Sequence, residues 1–147
     1  MGFAHTATTT PIRVLADELR LLLRSAHSPA AMSVMVVDVP PGGSVPPHSH
    51  AAEEECYFLL DGMLDLMVAG ETRRLGPGDF GHVLPGTLHG YANAGSDPVR
   101  FLAWTAGGPV DEFFEEMSRK VTEMPRDADR MAMLTRRYGI NMAGPPG

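Results

Sequence analysis

The sequence lacks most of the features that mark secreted, membrane-spanning and nucleic-acid-binding proteins. Its one cysteine, Cys56, cannot form a disulfide within the chain, which fits a reducing compartment. No apolar run approaches the roughly 20 residues that a membrane-spanning helix needs. The net charge is −6 and no basic stripe is visible, so we expect no nucleic-acid surface. Residues 1–11 lack the charged and apolar regions of a signal peptide. We therefore expect a cytoplasmic protein with neither a membrane nor a nucleic-acid partner.

Glycine and proline, in contrast, are abundant, and they lie mostly between short apolar runs. The 16 glycines and 13 prolines divide the stretch from residue 12 to residue 106 into several short segments with strand-like composition. Many short strands at close spacing are typical of an all-β sandwich or barrel. We expect this barrel to occupy residues 12–106 and to be preceded by a flexible arm over residues 1–11.

The pattern changes to a helical one after residue 106. Residues 110–122 carry Phe113, Phe114 and Met117 at helical spacing, and residues 127–138 form a second amphipathic segment that Gly139 would end. We expect two helices in a 107–147 extension packed on the barrel, with a short tail from residue 140. The apolar stripe of the first helix is more typical of barrel or dimer packing than of a substrate lid.

Three histidines and one glutamate carry the chemistry of this sequence. His48 and His50 are separated by one residue, so on a β-strand both side chains point to the same face. Four residues then allow the chain to turn before Glu55 returns on the next strand, and His89 must come from a third strand. Imidazole suits zinc, copper, iron and nickel, and a carboxylate adds a hard oxygen ligand. The pattern predicts a metal site inside a sheet or barrel.

Each piece of this pattern also has a plainer interpretation. A histidine in a proline-rich segment is usually a surface residue. The acidic run over residues 53–55 is typical of a solvated face, and Glu54 is an alternative to Glu55 as the metal-binding carboxylate.

The residues around the histidines decide between these interpretations, because two spaced motifs resemble those of the cupin family. The first motif has five, one, four and six residues between its members, which are Gly42, His48, His50, Glu55 and Gly62. The second motif has two and three residues between its last members, and it consists of Gly78, Gly86, His89 and Asn93. Leu84 stands where the second motif usually has proline, but that position holds no ligand. The resemblance covers residues 32–106.

The resemblance implies the fold, the ligands and the cofactor. It implies a cupin double-stranded β-helix, a jelly-roll barrel, with two C-terminal helices. His48, His50, Glu55 and His89 would meet inside it and hold one divalent transition metal, which could be Fe, Mn, Ni, Cu or Zn. Glu55 could double as a catalytic base, and Tyr57, on the same strand face, is a second candidate catalytic residue.

Alternation along the strands adds two further residues to the candidate pocket. Tyr91 and Asn93 share a strand face with His89, as Tyr57 does with Glu55. Direct contact with a substrate competes here with packing and turn roles, which are more typical of these residue types.

The end of the chain carries a looser resemblance. Residues 137–140 and the Gly144-Pro145-Pro146 ending are similar to single-domain cupins grouped with quercetin dioxygenases. This resemblance favours a metal-dependent dioxygenase acting on a small flavonol-like or enolisable aromatic molecule. The alternatives are a redox-neutral zinc-dependent polyketide cyclase or isomerase, and a cupin that binds a metal or ligand without catalysis. By analogy with the family, we expect a homodimer.

Overall fold

A computed structural model of the protein describes residues 2–143, so the Gly144-Pro145-Pro146 ending lies outside the described residues. Its strands and helices follow one another in this order: β1 (Ile12–Val14), β2 (Asp17–Leu23), β3 (Ser33–Val39), β4 (Ser44–His50), β5 (Glu54–Asp61), β6 (Leu64–Val68), β7 (Glu71–Leu75), β8 (Phe80–Val83), β9 (His89–Ala92), β10 (Val99–Ala106), α1 (Val110–Lys120), α2 (Ala128–Arg137) and β11 (Ile140–Met142). Short 3-10 turns lie at Thr6–Thr8 and Ser25–His27.

The strands form two antiparallel sheets, one with the order β1-β2-β3-β10-β5-β8 and the other with the order β11-β4-β9-β6-β7. Buried apolar side chains from both sheets belong to one core, so the sheets enclose a common interior. Strand β5 alternates buried and more exposed residues along its first half, as expected when one strand face points inward. The predicted all-β barrel with two C-terminal helices is confirmed.

The two glycine-containing motifs are joined to each other by backbone hydrogen bonds. Gly42 N–H donates to Asn93 O, and Gly86 N–H donates to His50 O at 2.7 Å. Gly86 has φ +78°, a left-handed conformation that L side chains rarely adopt. The turn that leads to β9 is thereby fastened to the end of β4, which brings two histidine-bearing strands together.

The end of the described chain differs from the predicted tail. The chain returns to the barrel as β11, which pairs antiparallel with β4 so that Ile140 lies opposite His50 and Met142 opposite His48. Consequently α1 and α2 are held between two barrel strands. Within residues 2–143, neither helix is long and apolar enough to cross a membrane.

Candidate metal centre

Three histidines from two neighbouring strands converge inside the barrel. His48 and His50 come from β4 and His89 comes from β9, where it lies directly opposite His48 in the register. One ring nitrogen from each of the three lies within 4.8 Å of the other two, and the Nε2 atoms of His48 and His50 are 3.2 Å apart. His50 and His89 are buried, with 4% and 1% of their surfaces exposed. The three histidines are positioned to bind a metal ion.

Glu55 reaches the same point from the other sheet. It lies on β5, and its Oε2 is 3.0 Å from His89 Nε2 and 3.6 Å from His50 Nε2. The carboxylate is buried and lies against two of the three imidazoles, at the position where the motif predicts a fourth ligand.

Backbone hydrogen bonds at the outer ring nitrogens of His48 and His89 turn the other nitrogen of each ring toward the centre. His48 Nδ1 lies 2.9 Å from the carbonyl oxygen of Pro46, and His89 Nδ1 lies 2.9 Å from that of Thr87. A carbonyl oxygen can only accept a hydrogen bond, so in the neutral ring Nδ1 carries the proton. The Nε2 of His48 then has its lone pair free for a metal, as metal-binding histidines require. The Nε2 of His89 also faces the Glu55 carboxylate, so a proton held there must leave before a metal binds.

The third outer nitrogen belongs to His50, and its neighbour is Glu53. Glu53 is 3% exposed, and its Oε2 lies 3.7 Å from His50 Nδ1. Neither atom has a hydrogen-bond partner among the described residues, and the two lie next to each other in the interior. The sequence did not predict Glu53 as a neighbour of His50, because Glu53 begins an acidic run that is typical of solvent-exposed surface.

The protonation states of the imidazoles favour metal binding at two of the three positions. Burial lowers the pKa of His48 and lowers that of His50 to about 4, because a buried imidazole is costly to charge. Both rings are therefore neutral near pH 7, as ligands must be.

The pKa values of His89 and Glu55 depend instead on the contact between the two side chains. Burial alone would lower the pKa of His89, but its hydrogen bond with the Glu55 carboxylate and the charge of that group raise the pKa. Burial likewise opposes ionisation of Glu55, yet the three histidines together lower its pKa. Glu55 is thus ionised at neutral pH, and a metal ion would compete with a proton for His89.

A largely apolar cavity opens beside the histidines. Tyr57 and Tyr91 line the cavity, as alternation along the strands predicts. Tyr57 is two residues from Glu55 on β5, and Tyr91 is two residues from His89 on β9. Burial, followed by the nearby carboxylates, raises the pKa of both phenols well above 10. Both tyrosines therefore remain protonated and can donate hydrogen bonds. Asn93 is different, because its side chain donates to the carbonyl oxygens of Val39 and Asp97 in a turn.

The C-terminal elements form part of the cavity wall. Phe113, Phe114 and Met117 of α1 line the cavity together with Met131 of α2 and Met142 of β11. The expectation that the α1 stripe serves packing alone is therefore incomplete, since these side chains both join the core and face the cavity. An apolar helix face looks the same in sequence whether it meets a core or an apolar ligand space.

Glu54, the alternative carboxylate, points away from the centre. It is exposed, and its Oε1 pairs with His82 Nε2 at 2.5 Å. The neighbouring strand residues Cys56 and His82 lie opposite each other on this outer face of the sheet. Glu55, one residue further along, is on the inner face.

Three neutral imidazoles and one carboxylate suit any of the mid-series divalent metals, and Fe, Mn, Ni, Cu and Zn all accept such donors. The donor set gives the loaded site a net charge near +1, which favours anionic oxygen ligands such as enolates and phenolates. The residues present therefore fit a divalent transition metal.

Comparisons with known proteins agree with this fold. Residues 35–105 match the family model described as Cupin domain. Quercetin 2,3-dioxygenase from Bacillus subtilis (strain 168) is 28% identical over 102 residues, which are 69% of this chain and 30% of that enzyme. The chain spans less than half the length of the curated relatives it matches.

Two solved structures resemble the barrel. The polyketide cyclase RemF from Streptomyces resistomycificus has a TM-score of 0.62 and 26% identity, covering 72% of this chain and 79% of that one. KdgF from Halomonas sp. has a TM-score of 0.68 and 20% identity, covering 76% of this chain and 98% of that one.

Proposed function

We propose that this chain, whose residues 35–105 match the Cupin domain family, is a metal-dependent enzyme acting on a small organic molecule. One divalent transition metal would be held by His48, His50 and His89 together with Glu55. The observation that carries the proposal is the fixed orientation of the imidazoles: two Nδ1 atoms are bound to backbone carbonyls, which turns Nε2 toward the centre. A bound metal would act as a Lewis acid on substrate oxygen and, in a redox-active form, would allow oxygen chemistry.

The best candidate reaction is dioxygenation of a flavonol-like or enolisable aromatic substrate. The cavity beside the histidines is largely apolar, and the aromatic rings of Tyr57, Tyr91 and Phe101 pack at centroid distances of 5.4–6.4 Å. Such a wall favours a flat aromatic body. The similarity to quercetin 2,3-dioxygenase over 69% of the chain supports this choice.

Two residues of this chain have proposed roles in catalysis. Glu55 is ionised at neutral pH and lines the cavity, so it can take a proton from an enolisable group of a substrate held there. Tyr57 remains protonated and lines the cavity, so it can donate a hydrogen bond to a substrate oxygen and hold it in place. Phe113 and Phe114 add apolar surface to the wall of the same space.

The second candidate is a redox-neutral cyclase or isomerase. It is favoured by the 26% identity with RemF, a polyketide cyclase. The same donors and the same cavity would stabilise an enolate without consuming oxygen. A cupin that binds metal or ligand without turnover is the third possibility.

Oxygen uptake separates these functions. The protein is loaded in turn with iron, manganese, nickel, copper and zinc, then given a panel of flavonols and 1,3-dicarbonyl compounds, with the His48→Ala/His50→Ala double variant as control. A dioxygenase consumes oxygen with substrate loss in at least one redox-active form and does neither in the variant. Product formation under strict anaerobiosis would reject dioxygenation and favour the cyclase or isomerase. No turnover under either condition would favour the binding protein.

We also propose a homodimer. The outer face of the six-stranded sheet exposes Phe58, Leu60 and Phe80, and Phe80 packs against Trp104 at a ring-centroid distance of 6.0 Å. Exposed apolar clusters of this kind commonly mark protein interfaces. Light scattering coupled to gel filtration tests the proposal, with Phe80→Glu expected to shift a dimer toward monomer; a monomeric wild-type protein would reject it.

A further inference from the structure

A buried acid, Asp17, lines the barrel interior without contacting the metal centre. Asp17 is the first residue of β2, just after the turn at Leu15 and Ala16 that joins it to β1. It is 3% exposed and lines the same cavity as His48 and His50. Its Oδ2 accepts a hydrogen bond from the Tyr91 hydroxyl, whereas its Oδ1 is buried and has no hydrogen-bond partner within the described part of the chain.

This arrangement is costly to the fold, which indicates a use for it. Burying a carboxylate oxygen without a partner costs free energy, and native proteins rarely leave such a group unmatched. Burial raises the pKa of Asp17 to about 6, although the hydrogen bond from Tyr91 acts in the opposite direction. The group is therefore mostly ionised at neutral pH, and its Oδ1 is an acceptor without a donor among the described residues.

The position of Asp17 relative to the metal centre follows from the strands. Tyr91 is two residues from His89 on β9, which places it about 7 Å further along the strand. Tyr91 packs against Phe101 and Tyr57, and its hydroxyl reaches on to Asp17. These aromatic rings line one cavity together with His48, His50 and Asp17.

We propose that Asp17 is a specificity-determining residue whose free carboxylate oxygen accepts a hydrogen bond from a hydroxyl group of the substrate. Tyr91 positions the carboxylate through its own hydrogen bond. The proposal rests on the proposed function, and it narrows the substrate class. The substrate has an oxygen group for the metal at one end, an apolar or aromatic body, and a hydroxyl remote from the first group.

The test uses two probes with the same ring system: 2-naphthol, which can donate a hydrogen bond, and 2-methoxynaphthalene, which has a methyl group in place of that hydrogen. Their dissociation constants are measured by naphthalene fluorescence on the zinc-loaded protein. A hydrogen bond to a charged acceptor predicts that the wild type prefers 2-naphthol by about tenfold or more. Asp17→Asn replaces the carboxylate by an amide of the same shape, so the ratio of the two dissociation constants should fall to about one or reverse. If Asp17→Asn does not fold, Asp17→Ala takes its place.

Asp111 provides a matched control. Asp111 is also buried, at 2% exposed, and its Oδ1 likewise lacks a hydrogen-bond partner among the described residues. It differs in that its Oδ2 accepts a hydrogen bond from Ser25 N–H and it does not line the cavity. Asp111→Asn should keep the preference for 2-naphthol, which separates recognition by Asp17 from a general effect of removing a buried acid.

Three results would overturn the proposal: a preference that persists without the Asp17 carboxylate, an equal loss in Asp111→Asn, or a wild type that does not prefer or does not bind 2-naphthol. A preference that persists in Asp17→Asn but disappears in the His48→Ala/His50→Ala variant would assign the hydroxyl to the metal instead. Oxygen uptake is measured separately from the preference for 2-naphthol. If the preference depends on Asp17 but the protein consumes no oxygen, the result supports this inference and rejects the dioxygenase.

Discussion

The three consecutive glutamates Glu53, Glu54 and Glu55 give the sharpest test of how the centre is built, because the structure assigns each a different environment. Glu55 contacts two imidazoles, Glu53 faces the outer nitrogen of His50, and Glu54 pairs with His82 on the outer surface. Replacing each by glutamine removes one negative charge and preserves the shape of the side chain. We expect three different effects on zinc affinity.

The size of the affinity loss expected for Glu53→Gln can be bounded from the distance between Glu53 and His50. Two full unit charges 3.7 Å apart would interact by about 4–5 kcal/mol at an effective dielectric constant near 20. A metal-bound imidazole carries only part of the metal's charge, so the loss should be smaller. Removing the outer partner of a metal-binding histidine typically weakens affinity about 10–100-fold, which corresponds to about 1.4–2.7 kcal/mol.

Competition titration against a chromogenic zinc chelator at neutral pH measures these affinities. Glu55→Gln should lose the most zinc affinity. Glu53→Gln should weaken zinc binding about 10–100-fold, and Glu54→Gln should bind zinc as tightly as the wild type. Burial raises the pKa of Glu53, so its replacement should not destabilise the metal-free protein, and urea unfolding provides that control. Wild-type affinity in Glu53→Gln, or an equal loss in Glu54→Gln, would refute the role assigned to Glu53.

Three further predictions follow from close contacts and burial. A Cβ at Gly108 would lie 2.3 Å from Glu53 Oε1, so Gly108→Ala should displace that carboxylate and weaken zinc binding without a change of charge; an unchanged chelator titration would contradict this. A Cβ at Gly90 would lie 2.7 Å from the carbonyl oxygen of Val45, so Gly90→Ala must separate β4 from β9 and should lower the free energy of unfolding by about 1–3 kcal/mol in urea titrations. Burial raises the Asp17 pKa from 3.8 to about 6, so ionisation favours the unfolded state and the fold loses stability as pH rises between these values. Asp17→Asn should therefore equal the wild type in unfolding free energy near pH 4 and exceed it by up to about 3 kcal/mol at pH 8; a gain that is the same at both pH values would contradict the assignment.

The barrel could be predicted from the sequence because its signals are local. Glycine and proline mark the turns, and the residues between them alternate along the strands. The pairing of β11 with β4 could not be predicted in this way, since a three-residue strand such as Ile140–Met142 has too few residues to establish a period and its partner lies about 90 residues away.

The candidate site could be predicted where residue spacing carries the signal. His48, His50, Glu55 and His89 occur at motif positions, and the structure brings their side chains together. Glu53 could not be found in this way, because an acidic run is ordinarily solvated. Its burial depends on the close approach of residues 107 and 108, where a Cβ on either glycine would meet residues 52 and 53.

Asp17 was missed for a different reason. The segment from residue 17 to residue 23 contains four leucines and shows no clean alternation, so no strand face could be assigned to its first residue. Its partner Tyr91 is 74 residues away, and only the fold brings the two together. Groups paired across the two sheets carry no local sequence signal.

The most direct test of the account is the metal content of the purified protein, measured by elemental analysis of the wild type and of the His48→Ala/His50→Ala variant after incubation with excess divalent metal and desalting. The account predicts about one metal ion per wild-type chain and none retained by the variant, because the loss of two of four donors leaves too few to hold the ion. Full retention of the metal by a folded variant would contradict the assigned ligands.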